Sequence, residues 1–156
     1  MLTAELEAYW QAYLRTQPAA ARLPQPFVEA WAFGDNPQLA GELGALVVAG
    51  VKTATCAALW SSELAGEPLP AAGHYSIILG GGGEALCIVE TVEVSVRPFD
   101  EVDAAFAYDE GEGDRSLAAW RREHWRYFTR TLAAHGLQPS ETMPLICERF
   151  RVVYSA

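Results

Sequence analysis

The stretch from Gly73 to Val96 constrains the fold more than any other part of the chain. Two short apolar runs, residues 73–79 (GHYSIIL) and 85–96 (ALCIVETVEVSV), flank four successive glycines, Gly80 to Gly83. Runs this short and this rich in Ile and Val read as strands, and the glycines between them as the tip of a hairpin. In residues 91–96, Val92, Val94 and Val96 alternate with Glu93 and Ser95, which predicts a strand with one buried face. The glycines do not suit a phosphate loop: no Lys-Ser/Thr follows them and no helical pattern begins there.

Helices surround this sheet-forming centre. Residues 3–17 carry Leu6, Trp10, Tyr13 and Leu14 at helical spacing, with Thr3 as a cap. That helix is expected to bury its Trp10 and Tyr13 face within the chain or in a homodimer. Pro18, Pro24 and Pro26 forbid its continuation. Next comes Phe33-Gly34-Asp35-Asn36-Pro37, where Asn36 can cap and Pro37 can open a helix running through Leu39, Leu43, Leu46 and Val47. Gly50 should end it. Residues 53–60 read as a strand, 99–108 as a short helix and 116–135 as a long one, capped by Asp114 or Ser116 and ended at Gly136. Residues 144–154 read as a last strand. This order predicts an α+β protein with a mainly antiparallel sheet, curled into a barrel. With 156 residues we expect a single domain over 27–156, preceded by a helix and Pro-rich connector over 1–26.

Charge and composition narrow the function. At 51% hydrophobic and 11% aromatic the chain is not a disordered one. Its formal charge of −9 argues against a broad nucleic-acid footprint, which needs clustered cations. No apolar run reaches the ~18 residues of a membrane span, and the first residues lack the basic region of a signal peptide. Cys56, Cys87 and Cys147 are too few and too scattered for a disulfide framework, so free thiols and a cytoplasmic setting are expected. His74, His124 and His135 show no metal-ligand spacing, and neither metal nor cofactor is expected.

The charges are unevenly placed. Residues 99–114 hold seven acids and no base; residues 115–130 hold five arginines and one acid, Glu123. Arg122, Arg126 and Arg130 recur at steps of four and form one stripe, either a solvated face or a small footprint for a phosphate or a short single-stranded RNA. Between Tyr108 and Asp114, four carboxylates crowd seven residues, and their repulsion is expected to raise some of their pKa values. Ten of the eleven cations are arginine; Lys52 is the one lysine. It opens Lys52-Thr53-Ala54-Thr55 at a helix-to-strand junction, where desolvation is expected to depress its pKa and let it take a hydroxyl proton.

Taken together, Phe33-Gly34-Asp35-Asn36-Pro37, Gly50-Val51-Lys52-Thr53-Ala54-Thr55 and Glu110-Gly111-Glu112-Gly113-Asp114, with Trp120, His124 and the closing Glu148-Arg149-Phe150, resemble the ASCH domain over about residues 27–154. Val51 departs from it, standing where members often carry a second basic residue. The resemblance implies a PUA-like β-barrel flanked by helices. It also implies one of two activities, removal of the acyl group from N4-acetylcytidine and related N4-acylated cytosine nucleosides, or cleavage of single-stranded RNA; a non-catalytic RNA-binding module is a third reading. The catalytic lysine and threonine of the amidohydrolase members fall on Lys52 and Thr55. The glutamate falls on Glu110 by its spacing from Ala107, with Glu112 the rival. The substrate would meet Phe33, Thr53, Trp60, Glu112 and Arg115, the aromatics stacking on the base. The expected function is therefore an amidohydrolase acting on a small nucleoside.

Overall fold

Hydrogen-bonding side chains set the helix starts in the computed structural model, which describes residues 1–22 and 26–155. Thr3 accepts from the Leu6 amide and starts α1, Ala4–Arg15; Asn36 accepts from the Leu39 amide and starts α2, Pro37–Val48, with Pro37 in its first turn. Gly50 follows α2 with φ +75°, as its placement after the helix requires. Pro18 ends the first helical segment, and a short 3-10 turn, Ala19–Arg22, follows; Pro24 lies outside the described residues.

The strands are β1 (Val28–Ala32), β2 (Ala54–Ala58), β3 (Tyr75–Leu79), β4 (Ala85–Pro98) and β5 (Pro144–Tyr154), hydrogen-bonded in the order β1-β3-β4-β5-β2. β3 and β4 form the expected antiparallel hairpin, with Tyr75 opposite Glu90 and the tip closed by Gly80 N–H donating to the Glu84 carbonyl. β1 runs parallel to β3 and β2 antiparallel to β5. The remaining helices are α3 (Leu59–Ala65), α4 (Ala104–Glu110) and α5 (Leu117–Ala133). Among the described residues no helix is long and apolar enough to cross a membrane, and all three cysteines are free.

The chain divides into two units. One contains residues 1–50, 71–92 and 150–156, and its core is built on α1, α2 and the strands they cover. Here Trp10 and Tyr13 of α1 are buried with Ile77 and Ile88, so the aromatic face of the helix is used within the chain. Gly44 of α2 leaves room for Leu86, whose methyl would lie 2.4 Å from a Cβ at that position.

The other unit contains residues 51–70 and 93–149 and gathers Ala54, Phe99, Phe106, Trp120, Phe128, Leu132 and Leu145 into a core. β2 supplies one wall of it. Ser116 accepts from the Ala119 amide to start α5, while its own amide donates to Asp114, so both candidate caps take part.

Three local expectations change. The strand over residues 53–60 stops at Ala58, because Leu59 to Ala65 forms a helix ended by Gly66 at φ +68°; short apolar runs do not distinguish the two states. The helix over 99–108 is split: a 3-10 turn over Phe99–Glu101 and extended Val102 precede α4, which Asp103 caps by accepting from the Phe106 amide. The valines at 92 and 96 are exposed, so alternation there does not mark a buried face.

Candidate active site

The site lies within the second unit, where the loop before β2 meets the end of α4. The Thr53 amide donates to the Asp109 carbonyl at 2.7 Å, and its hydroxyl does so at 3.3 Å. Gly111 closes α4 with φ +72°, and a Cβ there would sit 2.5 Å from the Val51 carbonyl oxygen and 2.9 Å from the Lys52 Cα. Only glycine fits this approach. The Glu110-Gly111-Glu112 sequence thereby sets a carboxylate on each side of the glycine, both within reach of Lys52.

Lys52 is 1% exposed and donates to at least three acceptors: Glu112 Oε2 at 2.9 Å, Glu110 Oε1 at 3.2 Å and the Glu110 carbonyl at 3.3 Å. An ammonium has three N–H groups, so these three acceptors can use them all. Burial alone would push its pKa down, but the Glu110 and Glu112 charges outweigh burial and hold it above the ordinary lysine value. The expected depressed lysine is thus corrected: flanked by two carboxylates, Lys52 stays protonated and is no base.

Glu110, equally buried, holds a second set of partners on Oε2. The Trp120 indole N–H donates to it, His124 Nε2 lies 3.0 Å away and the Cys56 thiol 3.5 Å away. Burial would raise this carboxyl, yet Lys52, and after it His124 and Trp120, keep it well below the usual carboxylate range. The expected upward shift from crowding therefore fails at Glu110, where opposite charges are nearer than like ones. Asp114 is likewise lowered, chiefly by its hydrogen bonds from Ser116.

His124 stands one turn after Trp120 on α5 and stacks on its ring, centroids 4.2 Å apart. Its Nδ1 faces the Trp120 carbonyl at 2.8 Å while Nε2 faces Glu110. Neither partner can donate, so each favours a proton on the ring nitrogen that faces it, and the two together favour the imidazolium. Burial would oppose this charge, but the hydrogen bond and charge of Glu110 raise His124 above its ordinary value. Lys52 and His124 therefore balance Glu110 and Glu112.

At the edge of the cluster Arg115 adopts φ +64°, a costly conformation for a side-chain-bearing residue. Its guanidinium donates to the Tyr108 and Val51 carbonyls and lies 3.5 Å over the Tyr108 ring. This clamps the acidic loop to the lysine loop.

A family model for the ASCH domain matches residues 29–154. The chain belongs to the ASCH domain family. Among solved structures it is similar to an ASCH domain from Lactobacillus crispatus JV V101, at 29% identity and a TM-score of 0.93, covering 98% of this chain and 96% of that one. It is also similar to a protein from Enterococcus faecalis V583, at 38% identity and a TM-score of 0.83, covering 95% and 87%. No curated protein matches it. The expected α+β, PUA-like fold of the ASCH domain is what the structure and these neighbours hold.

Within this ASCH domain, Lys52, Glu110 and Glu112 come together, with Thr53 and Arg115 holding their two loops in place. Strand alternation turns Cys56 to the cluster's side of β2 and Thr55 to the other side, opposite Glu148 in the β5 register. Phe33 is buried in the other unit's core with Trp31 and Phe150, and Trp60, in α3, packs half-buried on its own unit's core. The Phe33 ring is therefore not free to stack on a base. Arg122 and Arg126 both reach Glu123, and Arg130 lies over the Tyr127 ring, so the arginine stripe is partly neutralised. The cluster's other members, Cys56, Trp120 and His124, were not among the expected site residues. The signals for them are the two-residue step from Ala54 to Cys56 and the four-residue step from Trp120 to His124, which put each on one face of its element.

Proposed function

We propose that this ASCH domain is a hydrolase that removes the acyl group from N4-acylated cytosine nucleosides, with Glu112 as its reacting carboxylate. The observation that carries the reading is the buried Lys52 ammonium 2.9 Å from Glu112 Oε2. That contact holds one carboxylate oxygen while the Glu112 side chain keeps about a third of its surface open to solvent. Its second oxygen can then hold a water. As the water oxygen attacks the acyl carbon, Glu112 takes a water proton and passes it to N4 as the amide C–N bond breaks. The products are the free acid and the cytidine amine.

In this reading Lys52 is a positioning residue and acts through Glu112. Glu110, fixed by Trp120 and His124, keeps Lys52 charged. Since Lys52 has no free electron pair and Thr55 turns to the other side of β2, the attacking oxygen in this reading comes from water and not from the Thr55 hydroxyl. An uncharged nucleoside suits a protein of charge −9 better than a polyanion does, and we place its action in the cytoplasm.

The test incubates the protein with N4-acetylcytidine and, separately, with a labelled single-stranded RNA, at low and high salt. Deacetylation that barely responds to salt, without RNA cleavage, is expected. RNA cleavage without deacetylation would overturn the reading.

A further inference from the structure

We propose that Cys56 Sγ, Glu110 Oε2 and His124 Nε2 form a binding site for a single zinc-class divalent cation. These three atoms lie within 4.8 Å of one another. Oε2 is 3.5 Å from Sγ and 3.0 Å from Nε2. A tetrahedral zinc, with bonds of about 2.0 Å to N and O and about 2.3 Å to S, places neighbouring ligand atoms roughly 3.2–3.6 Å apart. The present spacings need only small adjustments to reach that geometry.

The surroundings of the histidine match the role. Nδ1 faces the Trp120 carbonyl at 2.8 Å, which requires a proton on Nδ1 and turns Nε2 toward Glu110. A backbone carbonyl on the outer nitrogen is the usual way a ligating imidazole is oriented and its tautomer set. The carboxylate is equally fixed: Lys52 occupies Oε1, leaving that oxygen out of the ligand set, and the Trp120 indole N–H braces Oε2.

Thiol, imidazole and carboxylate together select zinc or a similar borderline ion over magnesium or calcium, which take oxygen ligands. Glu110 is buried, but Cys56 and His124 are each partly exposed, so an ion enters from their side. Three protein ligands leave the fourth position to water.

The charge also balances. Binding displaces one proton from the Cys56 thiol and one from the His124 imidazolium, so two positive charges leave as the cation's two arrive. With Lys52 and Glu112 unchanged, the cluster remains neutral.

The experiment titrates cobalt(II), a spectroscopic stand-in for zinc, into the full chain after chelator treatment, and then competes it with zinc. One cobalt per chain is expected, with a thiolate-to-cobalt charge-transfer band in the near ultraviolet that zinc abolishes. Cys56→Ser should remove the band, and His124→Gln should weaken binding at least tenfold, with circular dichroism unchanged in both. Absence of saturable binding would overturn the proposal. So would a band that survives in Cys56→Ser, or magnesium binding as tight as that of zinc. Deacylation is not read in any arm, so this result and that of the proposed function are separable.

Discussion

The Lys52 ammonium lies 3.2 Å from Glu110 Oε1 with neither side chain more than 2% exposed. A buried ion pair is weak evidence of stability, but removing one partner strands the other charge away from water. Lys52→Met should therefore lower stability by about 3–5 kcal/mol, with His124 lessening the loss by keeping a positive charge beside the Glu110 carboxylate. Denaturant unfolding checks this. Stability equal to the parent protein would show that the pair is not closed to water.

The two glutamates should separate by readout. Glu112→Gln removes the carboxylate assigned to the water and should cut deacetylation about 10²–10⁴-fold while leaving the melting temperature nearly unchanged. Glu110→Gln leaves Lys52 short of a buried counter-charge and should first show as lost stability. Steady-state kinetics beside thermal melts decides the point. A pattern in which Glu112→Gln melts early and keeps its turnover would reverse the assignment.

Gly111 should tolerate no side chain. In Gly111→Ala the Cβ would meet the Val51 carbonyl oxygen at 2.5 Å in a backbone of φ +72°. A loss of at least ~1–3 kcal/mol is expected, together with activity, because the loop that carries Glu112 would be displaced from Lys52. Gly113→Ala also has positive φ but nothing within 4 Å of its Cβ, and it serves as the milder control.

Stability should fall on both sides of neutrality, with signs set by the two groups. Glu110 is lowered in the folded state, so its contribution is present above the unfolded carboxyl value of ~4.3 and disappears as pH falls through its lower folded value. His124 is raised, so its contribution is complete below the unfolded value of ~6.5 and is lost as pH rises through its higher folded value. Melting temperature against pH should show a shoulder above ~6.5 that His124→Gln removes. A shoulder unchanged in that variant would place the effect elsewhere.

Much of the fold was legible because its signals are local. Thr3, Asn36 and Ser116 cap helices through their own side chains, Gly50 and Gly136 turn the backbone left-handed near helix ends, and four glycines close a hairpin between Tyr75–Leu79 and Ala85–Pro98. Where local signals are ambiguous, as at Leu59 to Ala65, packing decided between strand and helix.

The candidate site divides along the same line. One lysine, two threonines and a cluster of carboxylates were legible in two short segments, residues 52–55 and 109–114. The sequence could not determine their protonation, because a pKa depends on through-space distances of a few ångströms between residues about 60 positions apart in the chain. The tertiary structure brought Glu110 and Glu112 to the same ammonium, which turned an expected base into a fixed charge. It also brought Cys56, Trp120 and His124 from β2 and α5 to one carboxylate oxygen. Spacing along the chain shows which residues share a strand or helix face, whereas only the packing of faces decides which charges meet away from water.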